Sequence, residues 1–262
     1  MVAPTAAPPA RTTNSRPDPV TDIELPVSPI ERALFVPGAD ALVLADLHLG
    51  KAADSRIEAP IDDGGDVRAR LESLLAWTDP ETVVVAGDLL HSFNRVPRGV
   101  ERDLAALESV VDEADADLVV TPGNHDMMLE DVFDGETASE YRLDDDETVV
   151  CHGHERPALE DERESGAAIQ RYIVGHDHPA LSVDGRKLPC FLYGPDGYAG
   201  SDVIMLPAFT TLAAGATVNG MFARDFQSPF VSDANRFHPA VWDDSSDEAL
   251  WFPPLGECRQ LL

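Results

Sequence analysis

Two kinds of apolar pattern alternate between residues 41 and 120. Ala41-Leu42-Val43-Leu44, Thr82-Val83-Val84-Val85-Ala86 and Leu118-Val119-Val120 are short runs with almost no polar interruption, as expected of strands covered on both faces. Between them, 66–77 (DVRARLESLLAW) sets Val67, Leu71, Leu74 and Leu75 at helical spacing, and 99–114 does the same with Val100, Leu104, Leu107 and Val111. A β-α-β-α-β order of this kind predicts parallel strands with helices packed outside them.

The pattern changes after residue 147. Short strands are predicted at 148–151, 172–174, 180–183, 188–193 and 203–206, with one helix over 160–170. Residues 226–247 read as an irregular acidic segment, and 248–262 as a returning strand that packs Trp251 and Phe252. Residues 1–22 are rich in Pro, Ala and Thr without periodicity and read as a disordered tail. No linker or repeat divides the rest, so 23–262 is expected to be a single α/β domain.

Composition describes the solvent more than the chemistry. Among 262 residues, 48 acidic side chains oppose 19 basic ones, for a formal net charge of -29. Only Lys51 and Lys187 are lysines. A dense, lysine-poor carboxylate shell suits a salt-saturated cytoplasm and is read as a halophilic signature. It excludes a broad basic footprint for nucleic acid. It does not exclude a nucleic-acid substrate, because high salt screens long-range attraction to phosphates anyway. Cys151, Cys190 and Cys258 are scattered and odd in number, against both a disulfide framework and a zinc ribbon. With no run of 18 apolar residues and no signal pattern at the start, a soluble cytoplasmic protein with no membrane partner is expected.

Seven of the eight histidines gather in five short segments. These are Ala45-Asp46-Leu47-His48, Gly87-Asp88-Leu89-Leu90-His91, Gly123-Asn124-His125-Asp126, Cys151-His152-Gly153-His154 and Gly175-His176-Asp177-His178, each following a predicted strand. In parallel α/β sheets, ligands bind at the carboxyl ends of the strands. Imidazole, carboxylate and amide together suit borderline divalent ions rather than an all-oxygen calcium cage. The set is too large for one tetrahedral ion. Two ions sharing one carboxylate would use it all, with Asp88 the natural bridge.

D-x-H, G-D-x-x-H, G-N-H-D, H-G-H and G-H-x-H, in this order and at strand ends, resemble the calcineurin-like metallophosphoesterase superfamily over about residues 40 to 210. The resemblance implies a four-layer αββα sandwich with a dinuclear metal site between two sheets. Carried over by position, it implies one ion on Asp46, His48, Asp88 and His178, and another on Asp88, Asn124, His152 and His176. His152 is preferred to His154 because it precedes the glycine, which leaves His154 beside the ligands. His125 matches the histidine that contacts substrate and protonates the leaving oxygen. Mn²⁺ is the expected metal, with Fe²⁺, Zn²⁺, Co²⁺ or Ni²⁺ as alternatives. Two such ions would clamp a phosphate and hold a hydroxide in line for attack.

His91 in G-D-L-L-H stands where phosphoprotein phosphatases have aspartate, and resembles instead the branch that contains nucleases and related diesterases. Its role is read as catalytic support, beside the plainer reading of a backbone-bonded loop histidine. "LVLADLHLGKAA" (42–53) and "KLPCFLYGP…VIMLPAFTTLAAG" (187–215) are similar to a prokaryotic subgroup of ligase-associated DNA damage response endonucleases. That resemblance implies phosphodiester cleavage in DNA repair, with a DNA ligase and a helicase as partners. A phosphomonoesterase, a small-nucleotide diesterase and an inactive scaffold stay open as alternatives. Lys51, Arg95, Arg98 and Asp126 are further candidates for touching substrate or supporting the ligands. Arg102 is expected to pair with a neighbouring acid, Ser92 to cap, and Cys151 and Cys190 to be buried as small hydrophobes.

Overall fold

The computed structural model of the protein describes residues 23–54, 63–158 and 168–261. Both the tail read over 1–22 and most of the helix read over 160–170 lie outside these. The first sheet runs in spatial order β1 (Ser28–Ile30), β2 (Ala33–Val36), β3 (Ala41–Leu44), β4 (Thr82–Val85), β5 (Asp117–Val120) and β6 (Glu136–Thr137). Strands β3 to β6 are parallel, and β1 and β2 add an antiparallel hairpin at the edge. Helix α1 (Lys51–Asp54) follows β3, α2 (Asp63–Thr78) leads into β4, and α3 (Val100–Glu113) links β4 to β5.

Alternation along each strand divides its side chains between two cores. On β3, Leu42 and Leu44 meet α2 and α3 through Val67, Leu71, Leu74, Leu104 and Leu107. Ala41 and Val43 point the other way, into a layer shared with Val150, Ile173 and Ile204 of a second sheet. Two buried faces explain why these strands read as continuous apolar runs.

That second sheet contains β7 (Tyr141–Arg142), β8 (Thr148–Cys151), β9 (Arg171–Val174), β12 (Phe191–Tyr198), β13 (Ser201–Met205), β15 (His238–Asp243) and β16 (Glu248–Trp251). Its order is β16-β15-β12-β13-β9-β8-β7, with β13, β9 and β8 parallel. Its outer face is covered by a small third sheet of β10 (Pro179–Val183), β11 (Arg186–Pro189) and β14 (Ala216–Thr217), by α4 (Leu255–Leu261), and by the chain around Phe226 and Phe230. The mixed α/β layering is as expected, with two sheets face to face at its centre.

Three local expectations change. The strand read over 188–193 is two strands in different sheets, because the chain turns at buried Cys190. The segment 226–247 is not irregular throughout: it ends in β15, whose Ala240 and Val241 are buried. The returning strand stops at Trp251, and Pro253 and Pro254 lead into α4 instead. No helix among the described residues is long and apolar enough to cross a membrane.

Candidate active site

Beyond β3 and β4 the chain leaves the sheet but stays paired. Asp46 N–H donates to the Gly87 carbonyl at 3.0 Å, His48 N–H to Asp88 at 2.9 Å, and Leu49 N–H to Leu89 at 2.8 Å. The backbone bends sharply within this pairing. Asp46, His48 and Asp88 have φ of 59°, 49° and 50°, and His176 and His178 beyond β9 have 75° and 46°. Left-handed backbone costs an L-residue roughly 1–2 kcal/mol, although Asp and His tolerate it better than most. Five such residues at one place is a concentration of strain of the kind found at functional sites.

These turns aim the side chains at a common point. Asp46 Oδ1 lies 3.0 Å from His178 Nε2, and His48 Nε2 lies 3.3 Å from the same His178 nitrogen and 3.9 Å from Asp88 Oδ2. Asp46 and His48 are almost wholly buried, and Asp46 Oδ1 and His48 Nδ1 have no aligned hydrogen-bond partner. A buried carboxylate oxygen without a hydrogen bond, as Asp46 Oδ1 is, is costly, and a cation beside it removes that cost. Asp46, His48, Asp88 and His178 therefore fit a divalent metal ion.

A second donor set lies on the other side of Asp88. His152 Nε2 is 3.5 Å from Asp88 Oδ1, 3.2 Å from Asn124 Oδ1 and 3.2 Å from His176 Nδ1. His152 Nδ1–H donates to the Ala86 carbonyl at 3.1 Å, which leaves the Nε2 lone pair facing the cluster. His176 N–H donates to Asp46 Oδ2 at 3.1 Å, so the second sheet is tied to the first at this point. Two glycines make room: a Cβ at Gly87 would sit 2.3 Å from His152 Nδ1, and one at Gly123 would sit 2.2 Å from Asp88 Oδ1.

His125 stands beside both sets. Its backbone N–H donates to Asp88 Oδ1 at 2.9 Å, and its Nδ1–H donates to the His91 carbonyl at 2.6 Å. Nε2 is thereby turned toward Asp88 Oδ2, 3.9 Å away. The His91 ring stacks on His125 with centroids 5.6 Å apart. His91 thus supports His125 with both ring and carbonyl.

Residues 40–180 match the calcineurin-like phosphoesterase family. The chain belongs to that family. This phosphoesterase is accordingly a metal-dependent hydrolase of ester bonds. Among solved structures, the nuclease MPE of Pseudomonas putida is similar in fold, with a TM-score of 0.54 and 23% identity over 86% of this chain and 100% of that one. YfcE, a phosphoesterase from E. coli, aligns with a TM-score of 0.38 and 14% identity over 78% and 88%. No curated protein matches the chain significantly.

Electrostatics in the phosphoesterase keep two of its imidazoles, His48 and His176, ready for a cation. Burial holds His48 down at about 3, and burial with neighbouring His152 holds His176 at about 4, so both are neutral at ordinary pH. His178 is pushed down by burial but raised further by contact with Asp46. Burial alone would raise Asp46, yet the surrounding His178, His152 and His48 bring its carboxyl below the usual range. Asp88 is raised, by burial and by the nearby Asp46 carboxylate.

Asp126 and Asp177 act on backbone. Asp126 accepts from the N–H groups of Leu89 (3.3 Å), Leu90 (2.8 Å) and Gly123 (2.8 Å), clamping the Asp88 loop to the Asn124 loop. Asp177, between two candidate ligands, accepts from Gln227 and Ser228 N–H at 2.9 and 3.0 Å and fixes its loop to the outer layer. Sequence reading gave Asp126 only a loose supporting place and Asp177 none. An Asp inside a histidine motif was the available signal.

The remaining candidates divide. Lys51, half-buried at the start of α1, is lowered by burial while Asp88 acts to raise it, so its charge is felt at the site. His154 lies beside His152 and His176, at centroid distances of 5.1 and 6.0 Å, outside the converging set. Arg95 and Arg98 are exposed on the loop after His91, and Arg102 pairs with Asp103 at 2.7 Å. The segment Ala208–Thr210, which the sequence marks only by its resemblance, is built into the site. Phe209 N–H donates to the Ala45 carbonyl at 2.8 Å, and Arg32 holds the Ala208 and Thr210 carbonyls at 3.0 and 2.7 Å. Sequence reading missed Phe93, whose ring lies 3.9 Å from that of His125.

Proposed function

We propose that this phosphoesterase hydrolyses phosphodiester bonds, with DNA as substrate. One metal would be held by Asp46, His48, Asp88 and His178, and a second by Asp88, Asn124, His152 and His176. The observation that carries this reading is Asp88. Its Oδ2 faces His48 while its Oδ1 faces His152, so one carboxylate serves two donor sets. Bound divalent ions would supply Lewis-acid stabilisation of the phosphate and an acidified water. Mn²⁺ suits the mixed nitrogen and oxygen donors.

The chain's own groups do the rest. His125 is the general acid: with Nδ1–H committed to the His91 carbonyl, the proton available to a leaving oxygen is the one on Nε2. His91 keeps that ring in place. Two dications less the carboxylates of Asp46 and Asp88 leave +2, which a diester anion and an incoming hydroxide neutralise. A monoester dianion would overshoot. The resemblance to ligase-associated endonucleases extends the reading to DNA repair beside a ligase and a helicase. The acidic, lysine-poor composition supports a saline cytoplasm as the place of action.

The test compares hydrolysis of bis-p-nitrophenyl phosphate and p-nitrophenyl phosphate in molar KCl with Mn²⁺, using Asp88→Asn and His125→Ala as controls. Diester turnover that Asp88→Asn abolishes and His125→Ala lowers supports the reading. Turnover of the monoester alone replaces it with a phosphatase, and a protein that binds no stoichiometric metal replaces it with a scaffold.

A further inference from the structure

Among the described residues, four large apolar side chains are exposed: Trp77, Phe93, Met127 and Phe222. Two of them sit at the site, Phe93 two residues after His91 and Met127 two residues after His125. Single exposed apolar residues are ordinary, so what matters is what each one touches. Phe93 is the more informative. Its ring lies on the His125 imidazole, with centroids 3.9 Å apart and planes 30° apart, yet the residue is 46% exposed. It therefore presents an aromatic surface to solvent directly beside the group assigned to the leaving oxygen.

The same loop carries exposed Arg95 and Arg98. A chain with 19 basic residues against 48 acidic ones has placed two cations within five residues of this ring. An aromatic platform flanked by arginines is the chemistry that receives an unpaired nucleotide: the base stacks, and the cations meet its phosphates. In concentrated salt the stacking component survives where phosphate attraction is screened.

We propose that Phe93 is a nucleobase subsite, on which an unpaired base of the leaving nucleotide stacks while its phosphate lies over the metal site. This inference rests on the phosphodiesterase reading and narrows it. The substrate is single-stranded or locally melted polynucleotide, because a base inside a duplex has no free face to offer.

The experiment compares kcat/KM for a single-stranded oligothymidylate and for the same strand with abasic residues throughout, in molar KCl with Mn²⁺. Bis-p-nitrophenyl phosphate serves as a small-diester reference. Wild-type protein is expected to prefer the base-bearing strand by about 5- to 150-fold, the range that one stacked base supplies. Phe93→Ala should bring the ratio close to one, mainly through KM, and Phe93→Trp should restore it. A ratio that survives in Phe93→Ala, with both rates lowered together, would assign the ring to holding His125 and overturn the proposal. Turnover of the small diester with neither strand cleaved overturns the subsite while leaving diesterase chemistry intact. Failure on all three substrates overturns both.

Discussion

Asp88 and His125 meet twice: the His125 backbone N–H donates to Oδ1 at 2.9 Å, and its Nε2 faces Oδ2 at 3.9 Å. The carboxylate that joins the two donor sets thus also fixes where the imidazole stands. The position of the His125 ring is built into the same side chain that would organise the metals.

If His125 gives a proton to that oxygen, its removal must matter most where the leaving group is a poor one. His125→Ala is expected to lower kcat by about 10²–10⁴-fold for a diester with an alkyl leaving group. The loss should be clearly smaller for p-nitrophenolate, which departs without protonation. Steady-state kinetics on the two diesters check this, and equal losses would move His125 from acid to substrate binder.

Asp126 holds three backbone N–H groups in a buried setting. Asp126→Ala leaves them unpaired and should cost about 3 kcal/mol or more of stability. Because those groups position Asp88 and Asn124, metal affinity should also fall by about 10–100-fold, as when groups behind a metal ligand are lost. Denaturant unfolding and metal titration separate the two effects. A stability loss with unchanged affinity would show the clamp to be purely structural.

The metal-free protein should lose stability on mild acidification. His48 and His176 titrate at about 3 and 4 when folded, against an ordinary 6.5. Between those values the unfolded chain binds more protons than the folded one, so stability is full above 6.5 and falls as pH drops toward 4. His178, raised by contact with Asp46, and Asp88, Asp126 and Asp177, raised by burial, work in the opposite direction, so substitution of a histidine is what isolates the imidazole share. Calorimetry after chelation, between pH 7 and 5, should show a falling melting temperature before most surface carboxylates titrate. His48→Asn should flatten the slope.

Arg32 acts on the site from a strand away. It donates to the carbonyls of Ala208 and Thr210, while Phe209 N–H bonds Ala45 next to Asp46. Arg70 adds a bond to the Phe209 carbonyl at 3.1 Å. Arg32→Met should lower the melting temperature by about 3–10 °C, with a smaller drop for Arg70→Met, whose guanidinium makes one such bond. Thermal unfolding by circular dichroism would register both.

The central strands and the histidine segments were legible because their signals are local. Val83, Val84 and Val85 announce a strand buried on both faces, and Asp46 and His48 a strand end with something to hold. The β1–β2 hairpin was not legible: Pro29, Glu31, Arg32 and Pro37 interrupt strands of three and four residues. Nor was the break at Cys190, since an apolar run does not reveal that its two ends enter different sheets. Arg32 reaches a segment 176 residues away, and Asp177 bonds backbone 50 residues on. Spacing cannot encode contacts of that kind. Phe93 was overlooked because one aromatic residue in a polar loop has no period to set it apart.

The left-handed turns at Asp46, His48, Asp88, His176 and His178 set the fold and its chemistry at odds. Glycine would take all five backbone conformations with ease, and none of the five donors can be supplied by glycine. A selection for thermal stability alone would therefore drift toward removing them. Variants recovered from such a selection should be screened for activity first at these positions, where gaining robustness and losing the reaction are the same event.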